Sequence, residues 1–209
     1  QLAGLTTTDI GELSSTQVGA LTATQLGALS ATNLSALDAT QVSALSTTQV
    51  RGLTATQLRG LETTDIGELS TTQVGGLTAT QLAALTATGL SALDATQVGT
   101  LTTTQVRGLT TTQIAGLETT DISELSSTQL GALATTQIGA LTTTNITALD
   151  TTQISGLTST QIGGLSATNL SALDATQVGA LTTTQTKALT ATQLTGLDAA
   201  DVAEFSTTH

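Results

Sequence analysis

Leucine stands at every eighth position from Leu5 to Leu197, and Phe205 occupies the next such slot. Five residues after each leucine comes a second apolar position, from Ile10 to Val202, which holds Ile, Val or Leu everywhere except Thr186. The chain is therefore a tandem octapeptide array, and one unit, Leu21-Thr22-Ala23-Thr24-Gln25-Leu26-Gly27-Ala28, predicts the structure of all. After each leucine comes Ser, Thr, Asp or Glu, with Ala134 the exception. A small residue follows, then Thr (Ala200 departs), then usually Gln, Asp or Asn. That order is a capping box, in which the first side chain accepts from the backbone N–H three residues on and the Gln or Asp reaches back. The leucine and the Ile/Val/Leu fall at the two positions of a hydrophobic staple. Each octad is thus predicted to form a helix of roughly two turns, such as Ala23 to Ala28, with Leu29 both closing it and preparing the next.

Other folds fit the spacing less well. On a continuous helix an eight-residue repeat drifts by roughly 80° per unit, so the leucines would form no seam. A β-solenoid is the main alternative, because Thr, Val and Ile suit strands and Thr22-Ala23-Thr24 recurs as a Thr-x-Thr pattern. Its difficulty is that five-then-three spacing puts Leu21 and Leu26 on opposite faces of a strand. The expected fold is all-α, a solenoid of very short helices wound into a superhelical rod.

Length alone would allow one or two ordinary domains, but the unbroken register over 1–209 predicts a single one. Gln1 and His209 both sit in the Gln slot, so the sequence reads as a piece of a longer array. One octad buries about two large side chains, roughly 3–6 kcal/mol, while ordering its backbone costs on the order of 8–16 kcal/mol. A unit cannot fold alone, and stacking on neighbouring coils must supply the rest. The small residues near the helix ends, Gly or Ala in most octads, would let neighbouring helices approach.

A longer period lies above the octad. Asp38, Asp94 and Asp150 recur at 56 residues, as do Glu62, Glu118 and Asp174, and Arg51 and Arg107. The acidic caps at 38, 62, 94, 118, 150, 174 and 198 alternate by three and four octads until the last step. That spacing suggests one face of a superhelix with about 3.5 octads, or some 28 residues, per turn; coils about 8–10 Å apart would then make a rod of very roughly 70 Å.

The net charge is −11, with Arg51, Arg59, Arg107 and Lys187 against 15 acids, which disfavours nucleic acid and anionic lipid. No apolar run approaches the length of a membrane helix. Cysteine is absent, so no thiol chemistry is available. The acidic triplets Glu62/Asp65/Glu68, Glu118/Asp121/Glu124 and Asp198/Asp201/Glu204, and the pair Asp9/Glu12 after Thr6, are the only clusters that could bind an ion such as Ca²⁺. Acids at helix N-termini are favoured by the exposed N–H groups alone, and no metal site is assigned to them. The basic residues are expected to pair with these acids at the surface. A hydroxyl nucleophile needs a base, and the single histidine is His209. With Phe205 the one aromatic residue there is no stacking platform. No catalytic or cofactor-binding residue is expected, and the chain is not expected to be an enzyme.

The octad L-[STDE]-x-T-[QDN]-[ILV]-x-[AG] resembles the low-complexity octapeptide arrays of giant secreted or surface-attached bacterial proteins, often adhesin-like. The resemblance implies an extracellular or cell-surface spacer or stalk, with adhesion located elsewhere in the parent polypeptide. The unit also resembles the opening of the helical repeats of transcription-activator-like effectors, but their second helix and base-reading loop are missing, so DNA binding does not carry over. The expected function is a structural rod with a uniform Thr/Gln/Ser exterior. Its expected partners are the neighbouring repeats, with end-to-end self-association into filaments a further possibility. A Thr ladder binding ice, or another flat ligand-binding surface, is the alternative, and it needs the β-solenoid or a very flat helical stack. Thr186 is the outlier: burying its hydroxyl unpartnered would cost roughly 1–3 kcal/mol, so Thr186→Val is expected to stabilise by about 1 kcal/mol if the core runs through it.

Overall fold

A computed structural model describes residues 4–205; Gln1, Leu2 and His209 lie outside them. The described residues form 25 short α-helices, from Thr7–Gly11 to Ala199–Phe205, one per octad and with no strand among them. The β-solenoid is thereby excluded for these residues. Of the two threonines in Thr22-Ala23-Thr24, the first accepts from Gln25 N–H and caps a helix, while the second is exposed on the helix surface.

Each helix is set by its cap. Thr22, for example, is extended (φ −72°, ψ 156°), its hydroxyl oxygen accepts from the Gln25 N–H, and the Gln25 side chain accepts from the Thr22 N–H at 2.8 Å. The chain leaves the helix through a tightened turn, Leu29 N–H donating to the Leu26 carbonyl at 3.1 Å, and the next extended cap follows at once. Among the described residues none has a positive φ, so the reversal is made by alternating helical and extended residues rather than by glycine conformations. The helices are four to seven residues long, within the range in which an isolated helix is unstable in water. Stacking is therefore what keeps them folded.

The described chain groups into two units, residues 1–109 and 110–209. In the first, each helix packs on the third one after it: Ser15–Gly19 on Ala39–Ser43, Ala23–Gly27 on Thr47–Arg51, and Thr47–Arg51 on Thr71–Gly76. The second unit repeats this with Ser127–Ala132 on Thr151–Gly156 and Ser159–Gly163 on Thr183–Thr186. Each unit is a helical solenoid. Its core consists of the two rows read from the sequence: Ile10, Val18, Val50, Ile66 and Val74 are 0% exposed in the first unit, as are Ile122, Ile138 and Ile154 in the second. The leucine row beside them is buried almost as deeply.

Close approach between coils depends on the residue before the leucine, which is Gly or Ala in most octads. A Cβ at Gly52 or Gly108 would lie 2.6 Å from the Cβ of Ala23 or Ala79, and one at Gly156 equally near that of Ser127. Glycine there lets a helix end rest directly on the helix start of the preceding coil.

Candidate functional site

The residue that joins the coils is the capping-box glutamine, which from Gln41 to Gln193 is buried rather than part of the exterior. Gln41, Gln57, Gln73, Gln161 and Gln193 are only 2–3% exposed. The carboxamide works on both sides. In Gln73 the Oε1 accepts from the Ser70 N–H (2.7 Å) and hydroxyl (3.0 Å), completing the cap of its own helix. Its Nε2 donates to the carbonyls of Val42 (2.7 Å) and Leu45 (2.8 Å), 31 and 28 residues earlier. Gln41 reaches Ile10 and Leu13 in the same way, and Gln57 reaches Leu26 and Leu29. In the second unit Gln153 takes Ile122 and Leu125, and Gln185 takes Ile154 and Leu157.

The geometry has a simple cause. A helix of five residues leaves most of its terminal N–H and C=O groups without an intrahelical partner. Buried between coils, those groups would each cost on the order of 1–3 kcal/mol. One carboxamide supplies an acceptor to the N–H at the start of its own helix and two donors to the carbonyls at the end of a helix in the coil below. The 28-residue offset also fixes the turn in each unit at 3.5 octads, as the spacing of the acidic caps suggests, so every helix rests against the junction between two others.

Variants of the slot behave as their chemistry requires. Asparagine is one carbon shorter, and Asn33, Asn145 and Asn169 each reach only the carbonyl 28 residues back, at 2.7–2.8 Å. Aspartate offers no donor. Asp65 and Asp201 instead accept from the hydroxyls of Ser35 and Ser171, 30 residues earlier, beside the carbonyls a glutamine would have used. Gly89 has no side chain to reach either partner. Restoring the rung with Gly89→Gln should stabilise the first unit by about 1–3 kcal/mol, from new hydrogen bonds and a better helix former. Urea unfolding at fixed pH measures it.

In the first unit the acidic residues fall together on one side: Glu12, Asp38, Glu62, Asp65, Glu68 and Asp94 lie within three residues of a whole number of 28-residue turns from Asp9. Most act as caps: Asp38 and Asp94 each accept from a glutamine N–H at 2.8 Å, as do Asp150 and Asp174 in the second unit at 2.7 and 2.8 Å. Hydrogen bonds from the Thr6 backbone and then its hydroxyl hold the Asp9 carboxyl below its usual range. The Ser171 hydroxyl, then the Asp198 backbone, does the same for Asp201. Among the described residues no group of three acidic or histidine side chains could hold a metal ion.

Glu68 is the strained member. Its Oε2 is shielded from solvent and has no hydrogen-bond partner, although the residue as a whole is only half-buried. Desolvation raises its pKa, and the charges of Asp65 and Asp38 add to the effect. A carboxyl with a raised native pKa contributes most at low pH, and that contribution is lost as pH rises through the native value. Glu68→Gln should therefore stabilise the first unit at neutral pH, with the advantage fading as pH falls through the carboxylate range. Thermal melts from pH 7 down to pH 4 test this.

One basic residue differs from expectation. Arg51 does not seek a carboxylate; its Nε donates to the Gly76 carbonyl of the next coil at 2.8 Å. Thr186 is also less disruptive than its sequence position implies. It is half-buried, and its hydroxyl donates to the Thr182 carbonyl at 3.1 Å, so there is no orphaned group to remove.

Nothing in one octad shows what lies above and below it, so from sequence alone the glutamines belong to the exterior. The signal was available in the prevalence of Gln at a slot where Glu is equally good for a capping box and yet never occurs. A slot that accepts Gln, Asn and Asp but not Glu calls for more than a cap. No curated protein matches the chain. The ALTTAQ repeat is matched at residues 1–31, 55–87, 114–151 and 138–167, together more than half of the sequence. Tandem matches, a constant octad and coils joined by its glutamine agree, and the chain is a member of the ALTTAQ repeat family.

Proposed function

We propose that the chain is a non-enzymatic structural spacer, a stalk segment of a large secreted or surface-attached bacterial protein that holds or displays adhesive domains. The observation that carries this reading is the glutamine ladder. Buried polar side chains bond coil to coil, in the same way, in both units. The specific chemistry of the molecule is spent on stacking. The outer surface is formed largely by short Thr, Ser and Ala side chains, with the acids of the first unit gathered on one side. A spacer is served by such an arrangement, since each added octad extends it without a new kind of contact. The net charge of −11 keeps such a surface soluble and disfavours non-specific binding to nucleic acid. Family membership supports a repetitive structural protein; the extracellular location and the adhesive context rest on the resemblance of the octad.

Small-angle X-ray scattering of the chain tests this. A compact globule of this length would have a radius of gyration of about 17 Å. A spacer should give a clearly larger value, with a distance distribution skewed to long separations. A symmetric distribution at the compact value would refute the proposal.

A further inference from the structure

The ladder of the first unit has one rung without a side chain. Gly89 stands in the Gln slot of the helix Ala87–Leu90 and is buried. The offsets of 31 and 28 residues kept by Gln73 and Gln81 fall here on the carbonyls of Leu58 and Leu61. Among the described residues no side chain reaches either of them. The Leu58 carbonyl receives the Leu61 N–H at a long 3.4 Å. On the near side, the Thr86 hydroxyl accepts from the Gly89 N–H at 2.9 Å as an ordinary cap, but the Thr86 N–H has no side-chain oxygen to donate to. The leucine row registers the difference. From Leu29 to Leu181 every closing leucine is buried except Leu61, which is half-buried. The path a side chain would take is open. A Cβ on Gly89 would meet the Thr86 Oγ1 at 3.1 Å, and then Ile66 Cγ1 and Leu85 Cβ at an ordinary 3.9 Å.

The backbone frame around this notch is the one that holds a carboxamide elsewhere. One octad before it, Gln81 donates to the carbonyls of Val50 and Leu53 at 3.0 Å each; two octads after it, Gln105 donates to those of Val74 and Leu77 at 3.3 and 2.7 Å. At the equivalent positions 56 residues away on either side stand Asn33 and Asn145. Both are buried, and both donate to the carbonyl 28 residues back, at 2.7 and 2.8 Å. Asn145 also accepts from the Thr142 N–H at 3.0 Å. We propose that the notch at Gly89 binds a small primary carboxamide of the size of acetamide or propionamide, the fragments that would complete an asparagine or glutamine side chain there. Its oxygen accepts from the Thr86 N–H, its NH₂ group donates to the carbonyls of Leu58 and Leu61, and its alkyl end rests against Ile66 and Leu85. The frame selects for this chemistry. A carboxylate of the same shape has no hydrogen to donate and would bring a charge against two carbonyl oxygens. An N,N-dialkylated amide keeps the acceptor but has lost both donors. The site requires only the coil-to-coil offset and holds whatever role the whole array plays.

Saturation-transfer NMR on the full chain, with acetamide and propionamide as probes, tests the proposal. Each amide should receive saturation from the folded protein, levelling off in the millimolar range that a ligand of so few atoms can reach. N,N-dimethylacetamide and propionate, close in size, should give no signal that levels off. Gly89→Gln carries its own carboxamide into the notch and should abolish the signal of both amides, with circular dichroism establishing that the helices are kept. Gly89→Asn, whose side chain the chain already accommodates at 33 and 145, takes its place if that variant does not fold. The absence of a saturable signal from the unmodified chain overturns the proposal. So does an undiminished signal from the variant, which would put the amide elsewhere on the array, or equal binding of N,N-dimethylacetamide or propionate.

Discussion

Gln73→Glu should destabilise the first unit by about 3–5 kcal/mol at neutral pH, the range for a buried charge left without a partner. The change is nearly isosteric, and a carboxylate still accepts from the Ser70 N–H and hydroxyl. What it cannot do is donate to the carbonyls of Val42 and Leu45, which lie at 2.7 and 2.8 Å from Nε2. A negative charge would instead face two carbonyl oxygens at a site 3% exposed. The defect should depend on pH with a definite sign. Burial and the two carbonyls raise the native pKa of the new carboxyl above its unfolded value of about 4.3. The penalty is therefore complete above the native pKa and shrinks as pH falls from that value towards the unfolded one. A neutral carboxyl even recovers one donor. Urea unfolding of the variant at pH 7 and pH 4 reads both effects; a loss of under 1 kcal/mol at pH 7 would mean the ladder contributes little.

Ile66→Ala should cost the same unit about 2–5 kcal/mol, because a fully buried side chain is removed from a packed row and the cavity can close only in part. Each helix is four to seven residues long and touches little besides its neighbours in the adjoining coils. Collapse around the gap would have to displace those coils as well. Thr186→Val marks the contrast. The hydroxyl is bonded to the Thr182 carbonyl and the side chain is half-exposed, so the gain should be no more than about 0.5 kcal/mol. A thermal melt of both variants separates core from end.

The local fold was legible because capping chemistry is local. Thr22, Gln25, Leu21 and Leu26 determine where a helix starts and which side it buries, and all lie within six residues. The length of the turn could also be read, from the spacing of Asp38, Glu62 and Asp94, since acids on one side of a winding chain record its period. The role of the glutamines was not legible. Oε1 acts three residues away, but the partners of Nε2 are 28 and 31 residues back, at backbone atoms that carry no sequence signal. Arg51 misled for the same reason: its acceptor is the carbonyl of Gly76, and a carbonyl has no residue type to predict from. The serines that serve Asp65 and Asp201 become meaningful only once the 30-residue offset is known.

That offset is the central claim, and a disulfide tests it directly. The chain has no cysteine. A Cβ at Gly75 would lie 3.9 Å from the Cβ of Thr100 in the next coil, within the range of about 3.5–4.5 Å that a disulfide requires. Gly75→Cys combined with Thr100→Cys should oxidise readily to an intramolecular disulfide in the folded protein, and a control pairing Gly75→Cys with Thr88→Cys, about half a turn away, should not. Failure of the first pair to close, or equal closure of both, would contradict a 28-residue coil.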